Sequence, residues 1–363
     1  MVAVISYHPL RHRIRVGDEP HDITVVQRRD HCHICLSRRA RAAVCHNLLA
    51  WLGQHITSQV LDGDITRNGA LHIMTLITHS LGQCNALLSS GFGSVLDKDE
   101  FLHLPPSDLL SLLRDKGVVV IRNISLSKSE FLSLYRRYGT AVEYVGSRAN
   151  VGYGYRNTLE LNGDRSKIVT GRGRLPFHID GGLLHSRVDQ VFLYAATIEN
   201  LRFRGATLIT DHVLAMREMP RHLRDVLECE TFQVNAVERG FYAGGSIDGW
   251  FTIETFKDLG WVRAFIIYFP FDDNDPPSWD TRIVGFSQFK TRKFFAELGA
   301  FLRQPQYTYY HYWREGDLLI FDNRRSIHER EEFRDEAVKR VLWRGQTSES
   351  STVFENDGST ILG

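Results

Sequence analysis

No stretch of this chain is long and apolar enough to cross a bilayer. The N-terminus has no secretion-signal core either, because His8, Arg11, His12 and Arg13 interrupt it. Cysteine is scarce. Five in 363 residues, an odd count without framework spacing, exclude a disulfide scaffold and point to a reducing, cytoplasmic setting. Neither charge sign prevails: 44 lysines and arginines meet 43 acidic residues, for a net charge of +1. That balance argues against nucleic acid or a membrane as partner and leaves a small molecule. Repeats and low-complexity tracts are missing. So is a dinucleotide motif, since Gly171-x-Gly173 lacks the third glycine and the following helix. What remains is a globular chain sized for one large domain or two smaller ones, with nothing against a homo-oligomer.

Lysine is absent up to Lys98, and residues 1–73 differ from the rest. They hold nine arginines, eight of the sixteen histidines and three of the five cysteines. His31-Cys32-His33-Ile34-Cys35 and Cys45-His46 invite a zinc reading, but the second pair is adjacent where a finger needs separation. A plain N-terminal extension is the expectation, with an amphipathic helix over 42–60 around Leu48, Leu49, Trp51 and Leu52. The change in composition also suggests a functional start near Met74.

Beyond Met74 the patterns are regular. Pro105-Pro106 and Gly117 bracket a short helix, Val118–Arg122 reads as a buried strand, and Ser127-Lys128-Ser129-Glu130 is a capping box opening a helix that Gly139 closes. Val151–Arg156 reads as a loop. Strands are expected at 188–197, 204–211, 231–238, 262–270, 280–286, 317–322 and 338–344, with helices over 213–228, interrupted at Pro220, and 290–301. Many irregularly spaced strands with a few helices predict a β-rich α+β fold: a jelly roll with helical cover.

Two stretches carry chemistry. The first is Gly171-Arg172-Gly173-Arg174-Leu175-Pro176-Phe177-His178-Ile179-Asp180-Gly181-Gly182. Residues two apart on an extended segment share a side, so His178 and Asp180 can hold one metal ion. About one His-x-Asp pair is expected by chance in such a chain. The weight comes from the second stretch, a buried strand with a polar end, Gly316–Asn323, followed by His328. Two histidines and a carboxylate hold Fe(II) without filling its coordination sphere, which leaves room for a co-substrate and O2. Glu329 and Arg330 are candidates to orient His328, and His185 is the nearest other outer candidate. His212, His222 and His311 read as ordinary core or surface residues.

Arg340, Leu342 and Arg344 share one face of a strand. Either the arginines face solvent and Val341 and Trp343 face inward, or the arginines point inward to bind a carboxylate.

With these motifs the stretch from about 100 to 347 resembles the TauD/TfdA branch of Fe(II)/2-oxoglutarate-dependent oxygenases. The resemblance implies a double-stranded β-helix core over a catalytic domain of residues 74–363. It implies Fe(II) on His178, Asp180 and His328, with 2-oxoglutarate and O2 as co-substrates. Thr207 and Arg340 would hold the far carboxylate of 2-oxoglutarate, and Arg344 would lie near its metal-side carboxylate or the substrate. A carboxylate at 180 fills the position that related halogenases leave to chloride, so hydroxylation or desaturation is implied. The 171–182, 204–207 and 340–346 stretches are also similar to isonitrile-pathway dioxygenases of paerucumarin- and rhabduscin-type biosynthesis, which oxidise amino-acid isonitriles, often derived from tyrosine. The alternatives are a sulfonate, carboxylic acid or free amino acid as substrate, or a β-barrel binding protein with a degenerate site.

Overall fold

The computed structural model describes residues 86–142, 158–164, 167–184, 187–201, 204–238, 249–272 and 275–350, together with the backbone of three N-terminal strands. The chain divides into two units, Met1–Ala86 and Leu87–Gly363. In the first, β1 (Leu10–Val16), β2 (Glu19–Arg28) and β3 (His31–Leu36) form an antiparallel meander. Cys45-His46, the 42–60 helix, the side chains of β3, Val151–Arg156 and His185 lie outside the described residues.

The second unit begins with β4 (Ser94–Leu96), α1 (Lys98–His103), α2 (Pro106–Lys116), β5 (Val118–Ile121) and α3 (Lys128–Tyr135). The capping box is formed: Ser127 Oγ accepts from Glu130 N–H, and Glu130 accepts from Ser127 N–H. There follow β6 (Thr140–Ala141), β7 (Thr158–Leu161), β8 (Leu175–His178), β9 (Gln190–Glu199) and β10 (Thr207–Thr210). Pro220 splits the expected helix into α4 (His212–Glu218) and α5 (Arg221–Cys229). The remainder is β11 (Phe232–Ala236), β12 (Phe251–Ile253), β13 (Phe256–Asp258), β14 (Arg263–Phe265), β15 (Trp279–Ile283), α6 (Gln288–Leu302), β16 (Thr308–His311), β17 (Leu318–Asp322), β18 (Ile327–Arg330) and β19 (Lys339–Ser348). No described helix is long and apolar enough to cross a membrane.

A seven-stranded sheet runs β4-β5-β17-β9-β19-β6, with β7 also paired to β19. A four-stranded sheet, β16-β10-β18-β8, carries the other half of the core, and β12-β11-β15 forms a third. The period-two pattern of β9 and β17 assigns each residue to one of two cores. Val191, Leu193, Ala195, Leu319 and Phe321 join the inner cluster with Phe177, Leu208 and Trp279. Phe192, Tyr194, Leu318 and Ile320 join the outer one under Leu109 and Leu113 of α2 and Phe131 of α3. Burying a side chain such as Phe131 contributes roughly 1.5–3 kcal/mol, so the helical cover is held by apolar contact. This is the expected β-rich α+β architecture.

The 262–270 strand shortens to β14. Residues 266–269 are buried, but the Ile266 N–H goes to Thr255 O and the Phe269 N–H to Phe177 O. An apolar run reports burial, and here the pairing is irregular.

Candidate metal and co-substrate site

β8 ends at His178, and Asp180 lies two residues on, as the His-x-Asp spacing requires. His328 sits on β18, directly opposite His178 in the antiparallel register, with the ring centroids 4.1 Å apart. Asn323, at the end of β17, fixes the approach of Asp180. Its Oδ1 accepts from Asp180 N–H at 3.0 Å, and its Nδ2 donates to Asp180 O and Val188 O.

Among the described residues, these three are the one group able to hold a metal, with ligand atoms within 4.8 Å of one another. His178 Nε2 and His328 Nε2 lie 3.7 and 3.8 Å from Asp180 Oδ1. The contact of His178 Nδ1 with Pro176 O, at 2.8 Å, places the proton on Nδ1 and leaves Nε2 free to ligate. The buried Nδ1 of His328 has no hydrogen-bond partner among the described residues. Trp279 packs 5.2 Å from the His178 ring and Phe321 4.8 Å from His328, shielding both from water.

Burial lowers the pKa of His178 and takes that of His328 well below the usual range. Burial alone would raise that of Asp180. The Arg344 guanidinium, with a hydrogen bond from Gln346, outweighs it and holds the carboxyl below its usual range. Two neutral imidazoles and an ionised carboxylate are the protonation states a divalent cation needs. The donors fit Fe(II).

The arginines of β19 turn inward. Arg340 and Arg344 are 2% and 7% exposed, and Leu342 between them belongs to the inner core. Trp343 packs on the opposite side against Phe131 and Tyr194. Arg344 Nη1 reaches Asp180 Oδ1 at 3.2 Å. Among the described residues, Arg340 is a buried cation without an anion. Its Nη2 is 3.4 Å from Thr207 Oγ1, which also accepts from Trp313 Nε1, while its Nε and Nη1 have no hydrogen-bond partner among the described residues. Burial, with Arg330 adding to it, pushes its pKa well down. Such a group calls for a carboxylate.

Two expectations need correction or addition. Glu329 does not orient His328, because it is engaged by Arg174 and Arg303, and Arg330 is spent on backbone carbonyls of residues 168–173. Gln346 and Asn323, which no sequence motif singles out, both hold Asp180. Gln346 continues the period-two face of Arg340 and Arg344, which is the signal that could have found it. His212 and His311 are buried in the core, and His222 is on the surface beside Glu297.

Residues 88–346 match the family model described as taurine catabolism dioxygenase TauD, TfdA family. The chain is 23% identical over 250 residues to 3-((Z)-2-isocyanoethenyl)-1H-indole synthase of Fischerella ambigua, an alignment that spans 67% of this chain and 88% of that protein. Its fold is similar to that of PvcB from Pseudomonas aeruginosa, with a TM-score of 0.56 at 18% identity over 73% of this chain and 89% of the other. A taurine dioxygenase from Burkholderia xenovorans gives a TM-score of 0.52 at 16% identity over 74% and 89%. The matched region spans most of the chain and contains the metal triad, and the chain belongs to the TauD/TfdA family of Fe(II)/2-oxoglutarate-dependent dioxygenases.

Proposed function

We propose that the enzyme oxidises a small amino-acid-derived isonitrile, of tyrosine type, by desaturation or hydroxylation, and works in the cytoplasm as part of secondary metabolism. The observation that carries the co-substrate half of this reading is Arg340, a buried and unbalanced guanidinium beside Thr207 in the same core as the triad. The substrate half is supported by the isonitrile product named for the Fischerella relative and by the likeness to PvcB, described as an Fe, alpha-ketoglutarate dependent oxygenase from an isonitrile synthetic pathway.

In this reading His178, Asp180 and His328 hold Fe(II), and residues 74–363 are the catalytic domain. Arg340 and Thr207 receive the far carboxylate of 2-oxoglutarate. Arg344, already on Asp180, adds positive charge where the metal-side carboxylate or the substrate would lie. When bound, iron, 2-oxoglutarate and O2 together supply the oxidising power to take a hydrogen from a C–H bond. The protein's own part is orientation and exclusion of water. Gln346 and Asn323 hold Asp180, the Pro176 carbonyl holds His178, and Trp279 and Phe321 close the apolar walls.

The test is anaerobic addition of Fe(II) and 2-oxoglutarate, read by the visible charge-transfer band, followed by O2-dependent succinate formation with tyrosine isonitrile. The band should vanish in His178→Ala and weaken in Arg340→Ala. Succinate coupled only to a sulfonate, carboxylic acid or free amino acid would replace the isonitrile assignment. Absence of any band would leave a degenerate barrel.

A further inference from the structure

Arg330 lies two residues past His328 and is 6% exposed, and its guanidinium donates to the backbone carbonyls of Ile168, Val169 and Gly173. Its Nη1 donates to Val169 O at 2.6 Å and its Nη2 to Ile168 O at 2.9 Å. Gly173 O accepts from Nη2 at 2.8 Å and from Nε at 3.0 Å. The same peptides are held from their N–H side by Glu238, just beyond β11. Ile168 N–H donates to its Oε1 at 2.9 Å and Val169 N–H to its Oε2 at 3.2 Å. Ser278 Oγ, just before β15, steadies that carboxylate at 2.8 Å.

A cation and an anion thus grip consecutive peptide groups from opposite sides, and the peptides lie between the two charges. Buried guanidinium needs donors satisfied and charge offset. The carbonyls do the first and Glu238, across the peptides, does the second. Gly171 makes the tight turn inside the gripped segment, since a Cβ there would lie 1.9 Å from Lys167 O. The segment then runs directly into β8, and β8 ends at His178.

We infer that Arg330 and Glu238 form a clamp that sets the position of the segment entering β8, and through it the alignment of His178 with His328 for metal binding. Both are positioning residues, since their hydrogen bonds go to the 168–173 backbone and to Ser278 and not to the three ligands. Three strand ends from two sheets meet in this grip: β18 through Arg330, β11 through Glu238 and β15 through Ser278. The inference rests on the metal site proposed above and adds the element that holds one ligand in register with another.

The experiment measures the Kd of the full-length chain for Fe(II) alone, anaerobically, by competition with a chromophoric chelator, beside thermal melts. Glu238→Gln, Arg330→Met, Arg330→Lys and the Glu238→Gln/Arg330→Met double variant are compared with the native chain. Loss of groups that orient metal ligands costs 10–100-fold in affinity, so the Met and Gln variants should each bind at least about tenfold more weakly while folded at the assay temperature. Lysine cannot span three carbonyls and should stay weak. The double variant should bind no more weakly than the worse single variant, because both act on one segment. Should Arg330→Met not fold, Arg330→Lys and Glu238→Gln carry the test. Fe(II) affinity within twofold of native in folded variants, whatever their melting temperatures, overturns the clamp. So do single effects that add in full. A native chain that binds no Fe(II) would instead overturn the metal site itself, which separates the two failures.

Discussion

Gln346 Nε2 donates to Asp180 Oδ2 at 2.6 Å, while Arg344 Nη1 approaches Oδ1 of the same carboxylate at 3.2 Å. The two donors, from alternate residues of β19, fix the carboxylate about its own axis and leave Oδ1 facing both imidazoles. Gln346→Leu removes the shorter bond and frees the carboxylate to turn. Fe(II) affinity should fall about 10–100-fold, as measured by anaerobic metal titration, with a smaller change in melting temperature.

Arg340 should oppose stability while serving binding. A buried charge without a partner is costly, and replacing buried ionic groups by apolar ones of similar size is often stabilising by about 1–4 kcal/mol. Arg340→Met should therefore melt higher than the native protein when no ligand is present. 2-Oxoglutarate added to the Fe(II)-loaded proteins should raise the native melting temperature more than that of the variant, which keeps the metal ligands but lacks the carboxylate partner. Scanning calorimetry with and without the co-substrate checks both halves.

His212 predicts a pH dependence. It is buried, its Nε2 meets Arg324 O, and burial pushes its pKa down from 6.5 to about 4. The folded state keeps the ring neutral while the unfolded chain takes up a proton below pH 6.5, so stability falls as pH drops from 6.5 towards 4 and levels off below. Between pH 7 and 5 this group alone should remove about 2 kcal/mol. Urea denaturation at the two pH values should show a difference smaller by that amount in His212→Gln.

Gly345, next to Arg344 on β19, lets the strand lie close against Tyr135 of the helical cover. A Cβ added there would lie 2.4 Å from Cδ1 of the buried Tyr135 ring of α3. Gly345→Ala should cost about 1–3 kcal/mol by overpacking. Combining it with Tyr135→Leu should cost less than the sum of the two single changes, as read from chemical denaturation.

The metal triad was legible because its chemistry leaves a local trace. His178 and Asp180 are two apart, and His328 follows a buried strand that ends in Asp322-Asn323. The inward turn of Arg340 was not legible from periodicity, which assigns two faces to β19 without ranking them. The ranking comes from Phe131 and Tyr194, which cover Trp343 from the other side. Glu329 and Arg330 adjoin His328 in sequence but leave the strand in directions set by Arg174, Arg303 and the 168–173 backbone, so adjacency misled. The helix boundaries at Pro106, Ser127 and Pro220 were readable because proline and capping chemistry act within a few residues. The short strand β7 depends on β19, far along the chain, and leaves little local signal.

β19 places Arg340, Arg344 and Gln346 toward the metal site and Trp343 toward the helical cover, within ten residues. Such a strand behaves like a reading frame. Inserting or deleting one residue in its middle would exchange the two faces beyond that point, losing chemistry and packing together. Descendants of this chain therefore have little room to explore new substrates along β19. Innovation is left to the connecting segments, where a change of length does not invert every side chain that follows.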